Sequence, residues 1–405
     1  MKLVALRFSS FAATAIGVAL VACSAGNGQE LGNGGNDPGS GGRHTGEGGD
    51  GISLTGSGGG TTGSSGNTCN TDPSVDDDND GFTEMQGDCN DCDAFTNPGA
   101  IEVLTDPADP NAEPADENCN QQVDEPAVVC DQSLAHNDTD PMNGARALGL
   151  CQTADAGSWG VVNAAYVRAN GSPASPGASV GLLDTFGSAV PPREGGRMLV
   201  LSSGYGRTPA HSDACNDNSC STLGPGTAPS GFPQDTPGCD GDTDINDDIA
   251  LQLQLKAPTN ASGYTFDFSF YSFEYPEWVC TSFNDQFIAL VSPPPMGSIN
   301  GNISFDSMSN PVSVNIAFFE VCSGCPLGAG ELAGTGFDGA WGDDAGATSW
   351  LVTQAPVTGG EDITIQFTIW DTGDDAWDST VLVDNFQWIA SSGDPVDVGT
   401  TPIPK

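Results

Sequence analysis

Positive charge is scarce in this chain: 10 Lys and Arg stand against 54 Asp and Glu in 405 residues, a formal net charge of -44. Counterion release, which drives binding to phosphate backbones, needs clustered cations, so nucleic acid is excluded as a partner and anionic headgroups are repelled. Histidine is rarer still, with three in the whole chain. Two of them, His136 and His211, follow residue 75, both in polar stretches, and no G-x-S-x-G elbow, H-E-x-x-H or Gly-rich phosphate loop is present. Nucleophilic hydrolysis therefore lacks its usual base, and no enzyme is expected. Paired acids for glycoside cleavage carry no information where acids are this abundant. No apolar run is long enough to span a bilayer as a helix.

What is abundant is glycine, at 55, and proline, at 28, a balance that suits loop-rich β architecture with a flexible tract. Residues 1–22 read as a signal peptide, with Lys2 and Arg7 ahead of a short uncharged run from Phe8 to Leu20. That run ends Leu20-Val21-Ala22-Cys23, which resembles the bacterial lipobox. The resemblance implies cleavage before Cys23, lipidation of Cys23 and anchoring through acyl chains such as palmitate, with Ser24 favouring the outer membrane. Thirteen cysteines less Cys23 leave an even number, as disulfides in an exported protein require. Residues 23–75 are dominated by Gly, Ser, Thr and Asn without apolar periodicity, the composition of a tether reaching roughly 40 Å from its anchor.

From 76 to 126 the chain turns abruptly acidic, with neither Lys nor Arg to balance it. Asp76, Asp78 and Asp80 sit at positions 1, 3 and 5 of a calcium loop, followed by Gly81 at the sharp turn, Phe82 as a carbonyl ligand and Glu84 at position 9. Position 12 is Gly87, so the closing glutamate is missing, and the next carboxylate is Asp88. The acidic string continues through Asp91 and Asp93 and closes with Asp116, Asn118, Asn120 and Asp124. Oxygen donors without His point to a hard cation, calcium before magnesium because flexible loops suit its variable coordination. This stretch resembles the metal-binding repeat of bacterial surface proteins. The resemblance implies calcium as the metal and a disulfide between Cys89 and Cys119 joining the two acidic strings.

Beyond Cys130, strict alternation marks strands: Ile249, Leu251, Leu253 and Leu255 on one face, Phe266, Phe268 and Phe270 on another. Val312, Val314, Ile316 and Phe318 read as a third strand, and Ile363, Ile365, Phe367 and Ile369 as a fourth. Shorter strands are expected over Val161–Val167 and Met198–Ser202. The Gly/Pro-rich stretch from Ser203 to Cys239 reads as a disulfide-stapled excursion, and Cys322-Ser323-Gly324-Cys325 as a small structural bridge. The fold class is all-β, a β-sandwich or jelly roll over 130–390, with a tail at 391–405.

Several phrases in this region resemble the choice-of-anchor L domain: Ala147-Leu148-Gly149-Leu150, Arg197 to Gly204, Asn246 to Leu251, Ser272 to Glu277, Phe283 to Phe287, and Asp371-x-x-Asp374-x-x-x-Asp378-Ser379. The resemblance implies an exported β-sandwich. Glu274, Asp285, Asp374 and Asp378 fall at strand ends and form a candidate third metal site. Tyr275, Trp278, Trp341 and Trp377 are candidate sugar-stacking residues. The function expected is adhesion or surface interaction by a calcium-stabilised sandwich, with an extracellular protein or glycan as partner; the alternative is a carbohydrate-binding module.

Overall fold

The computed structural model describes residues 72–105, 108, 113–155, 158–316, 318–342, 345–391 and 395–405. The expected signal peptide, Cys23 and nearly all of the linker at 23–75 lie outside the described residues. Two antiparallel sheets face one another. The first, five-stranded, has the order β1 (Gly160–Val167), β4 (Ile245–Lys256), β10 (Asp362–Thr372), β6 (Gln286–Ser292), β7 (Val312–Ser313). The second, seven-stranded, runs β12 (Gly399–Pro402), β9 (Leu351–Pro356), β5 (Ala261–Ser272), β11 (Ser379–Ala390), β3 (Met198–Ser202), β2 (Val180–Leu183), with β8 (Gly346–Ala347) also on β5. The one α-helix among the described residues is α1 (Pro141–Arg146), opened by Pro at its start and capped by Asp140, which accepts from Met142 N.

Alternation in the sequence becomes the interface between the sheets. Leu251, Leu253 and Leu255 of β4 and Ile365 and Phe367 of β10 meet Phe266, Phe268 and Phe270 of β5 in one core, all fully buried. Phe266 packs edge-on against Phe367 with centroids 4.9 Å apart, and Phe268 meets Phe287 at 5.0 Å, each pair joining opposite sheets. Each such ring contributes roughly 1.5–3 kcal/mol by leaving water.

Two strand readings are corrected. Only Val312–Ser313 of the Val312–Phe318 run forms a strand; the chain then turns, and Val314 and Ile316 reach the core from a loop. The tail expected at 391–405 supplies β12, an edge strand paired with β9. The excursion after Ser203 holds no named strand before β4 and is stapled by Cys215–Cys220 and, to a distant loop, by Cys239–Cys280. Cys322 and Cys325 are bridged, as are Cys130 and Cys151.

Antiparallel pairing sorts the loops onto two ends. β4 and β5 are joined by the turn at Ala257–Asn260, so the start of β4 and the end of β5 lie at the opposite end, about 40 Å away for twelve-residue strands. The ends of β3 and β10 and the starts of β6 and β11 share that far end, since Thr372 pairs with Ile245, Trp370 with Gln286, Ser379 with Ser272 and Thr380 with Ser202.

Candidate metal centre

The acidic segment packs against the β4–β5 turn. Thr259 N donates to Gly99 O at 2.9 Å, Thr259 Oγ1 to Asn97 Oδ1 at 2.7 Å, and Ile101 N to Asn260 Oδ1 at 2.9 Å. A Cβ on Gly99 would stand 2.8 Å from Thr259 Cγ2, so glycine is what leaves room for the Thr259 side chain to reach Asn97. Asn97 is fully buried, and beyond Thr259 it also bonds the side chain of Asp80, linking the acidic loop to the sandwich. Cys89 and Cys119 are joined, the pair expected from the resemblance, and Cys92 is also disulfide-bonded.

Within the loop each aspartate has a divided role. One oxygen of Asp78 accepts from Asp80 N, one of Asp80 from Phe82 N, one of Asp88 from Asn90 N and one of Asp91 from Asp77 N. The other oxygen of all four is buried without a hydrogen-bond partner. Asp76 holds the turn through Asn79 N and Gly81 N, where Gly81 takes φ +100°. Asp76, Asp78 and Asp91 form one group whose ligand oxygens lie within 4.8 Å of one another; Asp78, Asp80 and Asp88 form a second. Burial, reinforced by repulsion from Asp80, pushes Asp78 up to about 6, and burial pushes Asp88 up to about 7. Converging oxygens that lack both hydrogen and counter-charge suit a hard cation with several oxygen ligands. Asp88 and Asp91 thus come in where the sequence lacks the closing glutamate. Glu84 does not join them: it is exposed on a 3-10 turn at Glu84–Gln86. Asp93 turns instead to Phe95 N and Thr96 Oγ1, while Phe82 follows at the exit of the loop.

The second string coils in the same way. Asp116 accepts from Asn120 N and Gln121 N, Asn118 from Asn120 N, and Asn120 from Gln122 N. Asp124 holds Thr105 N. Two residues outside the expected set complete it. Glu125 accepts from Asn118 Nδ2 and Asn120 Nδ2, Glu102 accepts from Asp124 N, and each glutamate keeps one buried oxygen without a partner. Burial, with repulsion from Glu125, pushes Glu102 up to about 7. Glu102 lies outside the loop spacing, so no periodic rule selects it.

At the far end of the sandwich the structure brings together Glu274, Asp285 and Asp378, all buried, with Asp374 half-buried at the rim. Asp374 caps its own loop by accepting from Ala376 N. Asp371, at the end of β10, is fully buried there as well and was not among the expected ligands.

The choice-of-anchor L domain matches residues 155–386, more than half of the chain. The chain belongs to the choice-of-anchor L family. A search of curated proteins finds no match. In this choice-of-anchor L protein the sandwich core begins before the matched span, with Leu134, Ala145, Leu148 and Leu150 packed into it. Membership marks the protein as surface-associated, and no helix among the described residues is long and apolar enough to cross a membrane.

The aromatic candidates are placed differently from an open stacking platform. Tyr275 stacks on Phe319 at 4.3 Å, Trp341 covers Gly336, and Trp377 packs on the second core while meeting Trp278 edge-on at 5.6 Å. Trp278 is the most exposed of the four, at 36 %. The two histidines, far apart in sequence, lie with rings 4.6 Å apart; His136 Nε2 meets Asp213, and His211 Nδ1 is held by Thr208.

Proposed function

We propose that this choice-of-anchor L protein is a calcium-stabilised display module of the cell envelope, held through acyl chains on Cys23 in the outer membrane and acting by adhesion rather than catalysis. The observation that supports calcium is the set of partnerless inward oxygens on Asp78, Asp80, Asp88 and Asp91. Burying carboxylates without a counter-charge is strongly unfavourable, and a divalent ion removes that cost. The residues of the second string, Asp116, Asn118, Asn120 and Asp124 with Glu102 and Glu125, fit the same ion. Calcium at the first string also stiffens the segment that meets the β4–β5 turn through Asn97, so the ion orients the sandwich on its tether. The partner in this reading is an extracellular protein; selective retention on a glycan column would instead favour a carbohydrate-binding module.

The test is thermal unfolding of the chain from residue 24 onward, purified from an oxidising compartment, in calcium and in chelator, with magnesium and zinc as controls. A ligand bound only by the folded state stabilises it by about 2.7 kcal/mol at one hundred times its Kd, a shift of several degrees. Asp78→Asn and Asp88→Asn should reduce that shift. A midpoint indifferent to calcium would leave the segment an acidic spacer and sink the reading.

A further inference from the structure

The far end of the sandwich holds a second, independent concentration of buried negative charge. Glu274, Asp285, Asp371 and Asp378 are exposed by only 2, 0, 0 and 5 %. They come from four strand ends in both sheets: the end of β5, the start of β6, the end of β10 and the start of β11. Cations are engaged elsewhere. Arg168 is paired with Asp248 and Arg207 with Asp213, and among the described residues no Lys or Arg makes an ion pair with any of the four.

Three of the four have hydrogen-bond donors. Asp285 takes Thr372 N at 2.9 Å and, across the sheets, Ser379 Oγ at 2.6 Å. Asp378 takes Cys220 N with both oxygens, at 3.1 and 3.0 Å, which ties the disulfide-stapled excursion to this end. Glu274 Oε2 faces Asp285 N at 3.4 Å. Asp371 is held least of the four: both of its oxygens are buried and neither makes a hydrogen bond of normal length and angle. Ser203 and Asp285 lie beside it, but the Ser203 hydroxyl donates to Ser379 O. A carboxylate buried against other carboxylates with no donor of its own points to a missing positive charge.

We propose that the far end of the sandwich is a binding site for a hard divalent cation, calcium by preference, with Asp371 as its central ligand and Glu274, Asp285 and Asp378 around it. These four stand more widely apart than the trios of the acidic segment, whose ligand oxygens lie within 4.8 Å of one another. Asp371 can turn toward an ion at the loss of no more than weak contacts with Ser203 and Asp285, and calcium accepts six to eight oxygens in variable geometry, with water completing the shell. Burial first, then mutual repulsion, holds Glu274, Asp371 and Asp378 well above the usual carboxylate range, and burial pushes Asp285 up to about 7; an ion relieves that repulsion. Bound there, it fastens the excursion and the 273–285 loop at the end turned away from the acidic segment. The site does not depend on the calcium reading of that segment.

Equilibrium dialysis of the full chain against calcium alone, at slightly alkaline pH, counts the ions bound. Asp371→Asn should bind one calcium fewer than the parent chain, and the same decrement should appear in an Asp78→Asn/Asp88→Asn background, where the segment is disabled. In chelator, Asp371→Asn should melt above the parent, because one repelling charge is gone; in saturating calcium the order should reverse. An unchanged count in Asp371→Asn overturns the proposal. If that variant does not fold, Glu274→Gln is counted in its place and decides on the same criterion. A parent chain whose far end is stabilised by acidification and gains no ion beyond those of the segment identifies protons as the counter-charge, and overturns the proposal too.

Discussion

Asp384 shows how this chain treats a buried acid that no ion serves. It is fully buried on β11, its two oxygens accepting from Arg193 N and Asn385 N, both at 2.6 Å. Opposite it, Asp267 is held by Arg193 Nε at 3.0 Å, so the nearest guanidinium is already committed. Burial pushes Asp384 up to about 8, with Glu194 adding repulsion. A carboxyl whose folded value exceeds its unfolded value of about 4 stabilises the fold most fully below pH 4, and that stability is lost as pH rises toward 8. In saturating calcium the unfolding free energy should fall between pH 6 and pH 8 by up to about 1.4 kcal/mol per unit from this group. Asp384→Asn, though less stable at low pH for want of one acceptor, should flatten that slope; denaturant titrations across the pH range measure it. At the same scale, Asp76, Asp78 and Asp80 were legible as candidate ligands because a calcium loop has a fixed spacing. Glu102, Glu125 and Asp371 were not singled out, because none of them falls on a loop spacing and only folding brings each beside the other acids.

Among the elements, the long strands were the most legible. β4, β5 and β10 run over eleven or twelve residues, and one register carries Leu251, Leu253 and Leu255, Phe266, Phe268 and Phe270, and Ile363, Ile365 and Phe367 into the core between the sheets, while Tyr271 and Trp370 face away into smaller clusters. Short elements depend on their neighbours. Val312 to Phe318 alternates as well as any strand, yet among its described residues only two pair with β6, and Val314, Ile316 and Phe318 pack on the core from a turn. β12 is short and polar and ends on Pro402, with no alternation to announce it; it exists because β9 offers an unpaired edge. Thr400 Oγ1 meets Thr353 Oγ1 at 2.8 Å and Ile403 N donates to Trp350 O at 3.0 Å. A chain ending at residue 398 should therefore expose β9, melt at a lower temperature and associate with increasing concentration, as light scattering against unfolding midpoint will show.

For the whole molecule, a formal charge of -44 is a stability term as well as a solubility term. In chelator, raising monovalent salt shortens the Debye length from about 30 Å at 0.01 M to about 10 Å at 0.1 M and should raise the melting midpoint by screening self-repulsion. Calcium at equal ionic strength should raise it much further, since screening does not reach buried carboxylates; equal effects would mean that the acids act only as a diffuse field. The sequence by itself determined the all-β class, the membership of the long strands and the acidic loop, because composition and short periods are local properties. Tertiary structure alone decided which carboxylates meet. Antiparallel pairing carries the end of β10 beside the start of β6, and the sandwich lays β5 and β11 over both, so acids from positions 274, 285, 371 and 378 share one buried space. The cost of burying them together depends on mutual proximity, which no stretch of sequence read alone contains.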